Sequence, residues 1–86
     1  MPPAGFELTA HADAIIAERE IDAAWIERVL SSPERTETDR SDPALKHALA
    51  RIAECDDRVL RVVYNASFNP PRVVTAYFDR RQRGKT

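Results

Sequence analysis

Two runs near the carboxyl end decide the reading of this chain: Val59-Leu60-Arg61-Val62-Val63-Tyr64-Asn65 and Arg72-Val73-Val74-Thr75-Ala76-Tyr77-Phe78. Both are rich in valine and tyrosine, whose branched or aromatic side chains suit a pleated, half-buried surface. The link Ala66-Ser67-Phe68-Asn69-Pro70-Pro71 is short enough to join them as an antiparallel hairpin with an extended loop. Strand alternation puts Leu60, Val62 and Tyr64 on one face of the first run, with Arg61 opposite. In the second run Val74, Ala76 and Phe78 share a face, and Thr75 and Tyr77 lie opposite. If helices cover the apolar set, Arg61, Thr75 and Tyr77 look outward together.

Upstream, residues 1–8 read as a short lead-in. Thr9 is suited to cap a helix running to about Arg19. Ala12, Ile15, Ile16 and Arg19 fall on one face of it, giving an apolar stripe centred on the two isoleucines. Asp22 caps a second helix reaching about Ser31, with Ile21 and Ile26 placed as a hydrophobic staple. Ile26, Val29 and Leu30 continue its buried face, Trp25 flanks it, and Ser31-Ser32-Pro33 stops it. Residues 34–44 are polar, with Arg35–Thr38 a short edge strand and the rest a loop. Leu45, Ala48, Leu49, Ile52 and Ala53 fit a helical stripe. The same segment also alternates as a strand, with Ala48, Ala50 and Ile52 on one side and His47, Leu49 and Arg51 on the other. Pattern and propensity alone favour the helix. Asp56-Asp57 reads as a turn.

The 86 residues suffice for one domain with one modest core, which a partner or a second copy would help to complete. The single cysteine, Cys55, excludes an internal disulfide, as a reducing cytoplasm would permit. With two histidines, His11 and His47, and no Cys/His spacing motif, neither a metal nor a cofactor is expected. No apolar run approaches the roughly 20 residues that span a bilayer, and the start lacks the signature of a signal peptide, so the expectation is a cytoplasmic protein. Charge is divided along the chain. Residues 58–86 carry seven Lys/Arg against one Asp, whereas residues 1–57 carry six against thirteen Asp/Glu. Such a split suits either a cationic phosphate site on an acidic body or two halves that neutralise each other.

The order of motifs resembles a known family. His11-Ala12 stands early in the first helix and Glu18-Arg19-Glu20-Ile21 at its end. Val29-Leu30-Ser31-Ser32-Pro33-Glu34 closes the second, and Leu60–Tyr64 and Val73–Arg80 finish the chain. From about Phe6 to Lys85 this resembles the small domain family catalogued as domain of unknown function 4258 and, more distantly, the BrnT and RelE/ParE toxins of bacterial toxin–antitoxin pairs. The resemblance implies an α+β, RelE-like fold, with two N-terminal helices packed on a three- or four-stranded antiparallel sheet. It also implies that residues 45–54 form a strand. One departure stands out: family members usually have glycine where this chain has Glu20, and a left-handed helix cap is strained with glutamate.

The resemblance further implies metal-independent RNA cleavage, with an antitoxin protein as partner. That reaction needs a base for the 2′-OH, an acid for the leaving 5′-oxygen, and cations for the charge that develops on phosphorus. His47 and His11 are the candidate acid–base groups, Arg61 the phosphate clamp, and Tyr77 a stacking or proton-donating group. Arg51, Thr75, Arg80, Arg81 and Arg83 are candidate substrate contacts. Each has a plainer reading. His11 is a surface residue of a helix start, Arg61 an ion-pair partner for Asp79, Tyr77 a packing residue, and the basic tail from residue 81 to 86 a solubilising end. The leading expectation is a toxin-like ribonuclease. Its rival is a non-catalytic RNA-binding or protein-interaction module using the same face, as a monomer or a homodimer.

Overall fold

The computed structural model describes residues 6–79. Two helices, α1 (Ala10–Glu18) and α2 (Ala23–Ser31), precede most of the sheet. Five strands follow the order β1 (Glu7–Leu8), β5 (Arg72–Phe78), β4 (Arg58–Asn65), β3 (Leu45–Ile52) and β2 (Arg35–Thr38) across it. β2, β3, β4 and β5 are antiparallel neighbours, and β1 runs parallel to β5. The α+β class expected from the sequence is therefore present. The expected three- or four-stranded antiparallel sheet is corrected to five strands of mixed direction. The reason is local: Glu7 and Leu8, read as lead-in, dock on β5 as Glu7 N–H donates to Pro71 O (2.9 Å) and Thr9 N–H to Val73 O (3.1 Å).

Both helices begin where their caps predict. Thr9 Oγ1 accepts from Ala12 N–H at 3.0 Å, and Asp22 Oδ1 from Ala24 N–H at 2.8 Å. α1 ends in a left-handed turn: Ile21 N–H reaches back to Ile16 O at 2.9 Å, and Glu20 holds φ 56°. That is the cap geometry in which a residue without a Cβ is unstrained. Residues 45–52 form a strand, against their helical periodicity. Strand pairing explains the outcome, because β3 is hydrogen-bonded on both sides and its Ala48, Ala50 and Ile52 lie buried beneath the helices. A 3-10 turn at Ala53–Cys55 and two consecutive left-handed residues, Asp56 (φ 62°) and Asp57 (φ 58°), lead into β4.

The core lies between helices and sheet. Ala12, Ile16, Ile21, Ile26 and Val29 meet Ala48, Ala50, Ile52, Leu60, Val62, Val73 and Ala76, with Trp25 and Phe78 packed edge to face at 6.3 Å. One expected core position changes. Val63 pairs with Thr75 but Tyr64 pairs with Val73, so the ladder skips Val74 as a bulge. The extra residue reverses the facing of the strand's first part. Val73 therefore enters the core, whereas strict alternation had assigned Val74.

Candidate functional site

On the sheet face turned away from the helices, strand register brings four of the sequence-predicted residues into one patch. Leu49 pairs with Arg61 and Arg61 with Tyr77, while His47 pairs with Val63 and Val63 with Thr75. β2 adds Glu37, directly opposite His47. The face is closed as well as polar, since Leu49 and Val59 are wholly buried and Val63 nearly so.

Arg61 is the centre of the patch, and it is 6% exposed. Its Nε donates to Asp79 Oδ2 at 2.9 Å, and its Nη2 lies 2.8 Å from the same oxygen. Nη1 donates to Glu37 Oε1 at 3.2 Å and to His47 Nδ1 at 2.7 Å. Guanidinium has donors only, so Nδ1 must be accepting and the imidazole proton belongs on Nε2. From there it is donated to Asp39 Oδ1 at 2.8 Å. Asp39 also accepts from the backbone N–H groups of Ser41 and Asp42, both at 3.0 Å, which fixes the loop after β2. The chain Asp39–His47–Arg61–Asp79, with Glu37 as a branch, therefore holds every member in one orientation.

The electrostatics follow from this geometry. Burial works against the Arg61 charge, but its hydrogen bonds to Asp79 and Glu37 outweigh that and raise its pKa above the ordinary guanidinium value. The Arg61 hydrogen bond in turn holds Glu37 below the usual carboxylate range. The His47 hydrogen bond, with Ser41 and Asp42 N–H, does the same for Asp39. One buried arginine thus faces two carboxylates in direct contact.

The remaining candidates stand apart. His11 is exposed in the first turn of α1, on the helical layer. Arg51 is exposed and paired with Glu34 (Nε to Oε1, 3.3 Å). Thr75, by contrast, belongs to the patch and is half-buried two places along β5 from Tyr77. Arg80, Arg81 and Arg83 lie outside the described residues. A surface cleft of about 790 Å³ shares Asp79 with the cluster, and the described residues that line it include Glu54, Asp56 and Arg58. Sequence reading missed Glu37 and Asp39. The signal was present in the alternation of Arg35–Thr38: once that stretch pairs with β3 as an edge strand, Glu37 must fall beside His47.

The sequence profile of the domain of unknown function DUF4258 matches residues 8–78. The chain belongs to the DUF4258 family. No curated protein and no solved structure matches it. For this DUF4258 domain, the chemistry of the patch therefore carries the functional argument.

Proposed function

We propose that this DUF4258 domain is a non-catalytic interaction module that binds a protein partner. The observation that carries the reading is the closure of the Arg61 cluster. A phosphate clamp needs guanidinium donors directed at the ligand, and Arg61 directs its donors at Asp79, Glu37 and His47. A general base needs a lone pair within reach of the substrate proton, and the His47 lone pair is taken up by Arg61. Opening the cluster would expose Asp79 and Glu37 to the phosphate along with the arginine.

A second reading, the toxin-like, RelE-like ribonuclease acting on RNA without a cofactor and restrained by an antitoxin, rests on its own observation. His47 and Arg61 are 2.7 Å apart, Tyr77 is Arg61's cross-strand neighbour, and Asp39 orients the imidazole as a carboxylate orients a catalytic histidine. One experiment separates the two. The full chain and its His47→Ala and Arg61→Ala variants are expressed in bacteria, and the purified proteins are incubated with structured and unstructured RNA. The interaction module leaves growth and RNA unchanged in all three. Growth arrest and RNA cleavage by the parent chain, both lost in His47→Ala, would establish the ribonuclease and end the first reading.

A further inference from the structure

Among the described residues, β2 forms an edge of the sheet with no strand beyond it. The β2–β3 ladder shows which backbone groups face outward there. Asp39 N–H donates to Leu45 O at 3.0 Å, and the register pairs Glu37 with His47 and Arg35 with Leu49. In an antiparallel ladder hydrogen-bonded and non-bonded pairs alternate, so Arg35 and Glu37 direct their backbone groups into the sheet. Thr36 and Thr38, both exposed, direct their N–H and C=O groups away from it. An open row of this kind is a template for another strand.

The side chains specify which strand fits. Edge strands are usually protected by being short and charged, and β2 is both. Its two charges, however, have opposite signs and stand two residues apart on one face, Arg35 and then Glu37, where they already touch within the chain (Nη2 to Oε2, 2.6 Å). Such a strand is complementary to itself in one antiparallel register. With Thr36 opposite Thr36 of a second copy, each Arg35 lies directly opposite the other copy's Glu37, at the close spacing of a non-hydrogen-bonded pair. Shifting by one hydrogen-bonded step sets Thr36 opposite Thr38 and brings Glu37 against Glu37, which like-charge repulsion disfavours.

We propose that β2 pairs antiparallel with β2 of a second copy of this chain, about a two-fold axis through Thr36, giving one continuous sheet across both protomers. The inference does not rest on the proposed binding role, and it shares one residue with the Arg61 cluster: Glu37 gives Oε1 to Arg61 and Oε2 to Arg35. Glu34 N–H is engaged inward with Leu49 O at 2.8 Å, so the new ladder is short and the dimer belongs among weak associations.

The test uses the full chain with Cys55→Ser, which removes its one thiol. At the axis the two Thr36 Cα atoms lie about 5.5 Å apart, within disulfide reach. Thr36→Cys is therefore expected to form a covalent dimer under mild oxidation. Thr38→Cys is not, because its symmetry mate lies about 14 Å further along the strand at 3.4 Å per residue. Thr36→Pro removes an outward N–H and no ladder bond, so it keeps the fold and the circular dichroism spectrum while abolishing the concentration-dependent dimer in sedimentation. A parent chain that stays monomeric at the highest soluble concentration overturns the proposal. So does equal crosslinking at positions 36 and 38, or a Thr36→Pro protein that still dimerises.

Discussion

The two faces of the sheet are built from alternate residues of the same strands, and they solve burial in opposite ways. Toward the helices, β4 sends Leu60 and Val62 into a layer of isoleucine, valine and alanine with no charge to satisfy. Away from them, the intervening residue Arg61 is buried too, yet it carries a charge and spends its donors on Asp79, Glu37 and His47. Apolar packing tolerates many combinations of side chains, because dispersion and the hydrophobic effect have no direction. The ionic face tolerates few, because removing one member leaves another buried and unmatched. The comparison predicts that the same strand is far less forgiving at position 61 than one place to either side.

The largest expected effect comes from breaking the ionic face on one side only. Asp79→Ala leaves the Arg61 guanidinium without its principal counter-charge and is expected to cost about 3–5 kcal/mol in urea unfolding. Joining it to Arg61→Met removes both charges and is expected to recover most of that loss. If the double variant is no more stable than Asp79→Ala, the unmatched charge is not the cause and the contrast between the faces fails. On the helical side, Leu60→Ala opens a cavity in a fully buried site and is expected to cost roughly 2–5 kcal/mol by the same measurement. Here replacement by Met should be nearly neutral, because a cavity is a matter of volume and an unmatched charge is not.

A smaller effect, of the opposite sign, is expected at the turn between the helices. Glu20 holds φ 56°, where a Cβ is crowded, and Glu20→Gly is expected to stabilise the domain by up to about 1 kcal/mol. An unchanged or lowered unfolding midpoint would mean that the glutamate gains elsewhere what its backbone loses.

How far the sequence disclosed these faces depends on the range of the forces that made them. The helix caps at Thr9 and Asp22 were legible because a cap is settled by residues two or three places away. The strand character of Val59–Asn65 and Arg72–Phe78 was legible for the same reason. Residues 45–52 were not legible in their own pattern, whose period suited a helix; the family resemblance gave the strand, which is set by partners on β2 and β4. The bulge at Val74 and the pairing of Glu7-Leu8 with β5 were likewise hidden, because each depends on a register fixed only when the sheet assembles. On the polar face, alternation set Arg61, Thr75 and Tyr77 together, and His47 joins them because residues 45–52 are a strand. Their neutralisation was half visible in Asp79, while Glu37 and Asp39 come from a polar stretch whose signal is one short edge strand.

The smallest effect sharpens the comparison by repeating the chemistry of the ionic face in water. Arg28 on α2 grips Glu54 beyond β3 through two parallel hydrogen bonds of 2.9 Å, a geometry at least as regular as that of Arg61 with Asp79. The side chains are 48% and 51% exposed, so solvent competes for both partners. The hydrogen bond from Arg28 lowers the Glu54 pKa to about 2. A carboxylate whose pKa is depressed by folding adds stability that is complete above its unfolded value and fades as pH falls toward the folded one. Any Glu54 contribution is thus present at neutral pH and lost between the ordinary glutamate range and about pH 2. Glu54→Gln should therefore lie slightly below the parent chain in urea midpoint at pH 7 and converge with it in strong acid. The gap at pH 7 should shrink in high salt, which screens an exposed pair. A gap as wide as that of Asp79→Ala, or one that ignores salt, would show that geometry rather than burial sets the worth of an ion pair in this fold.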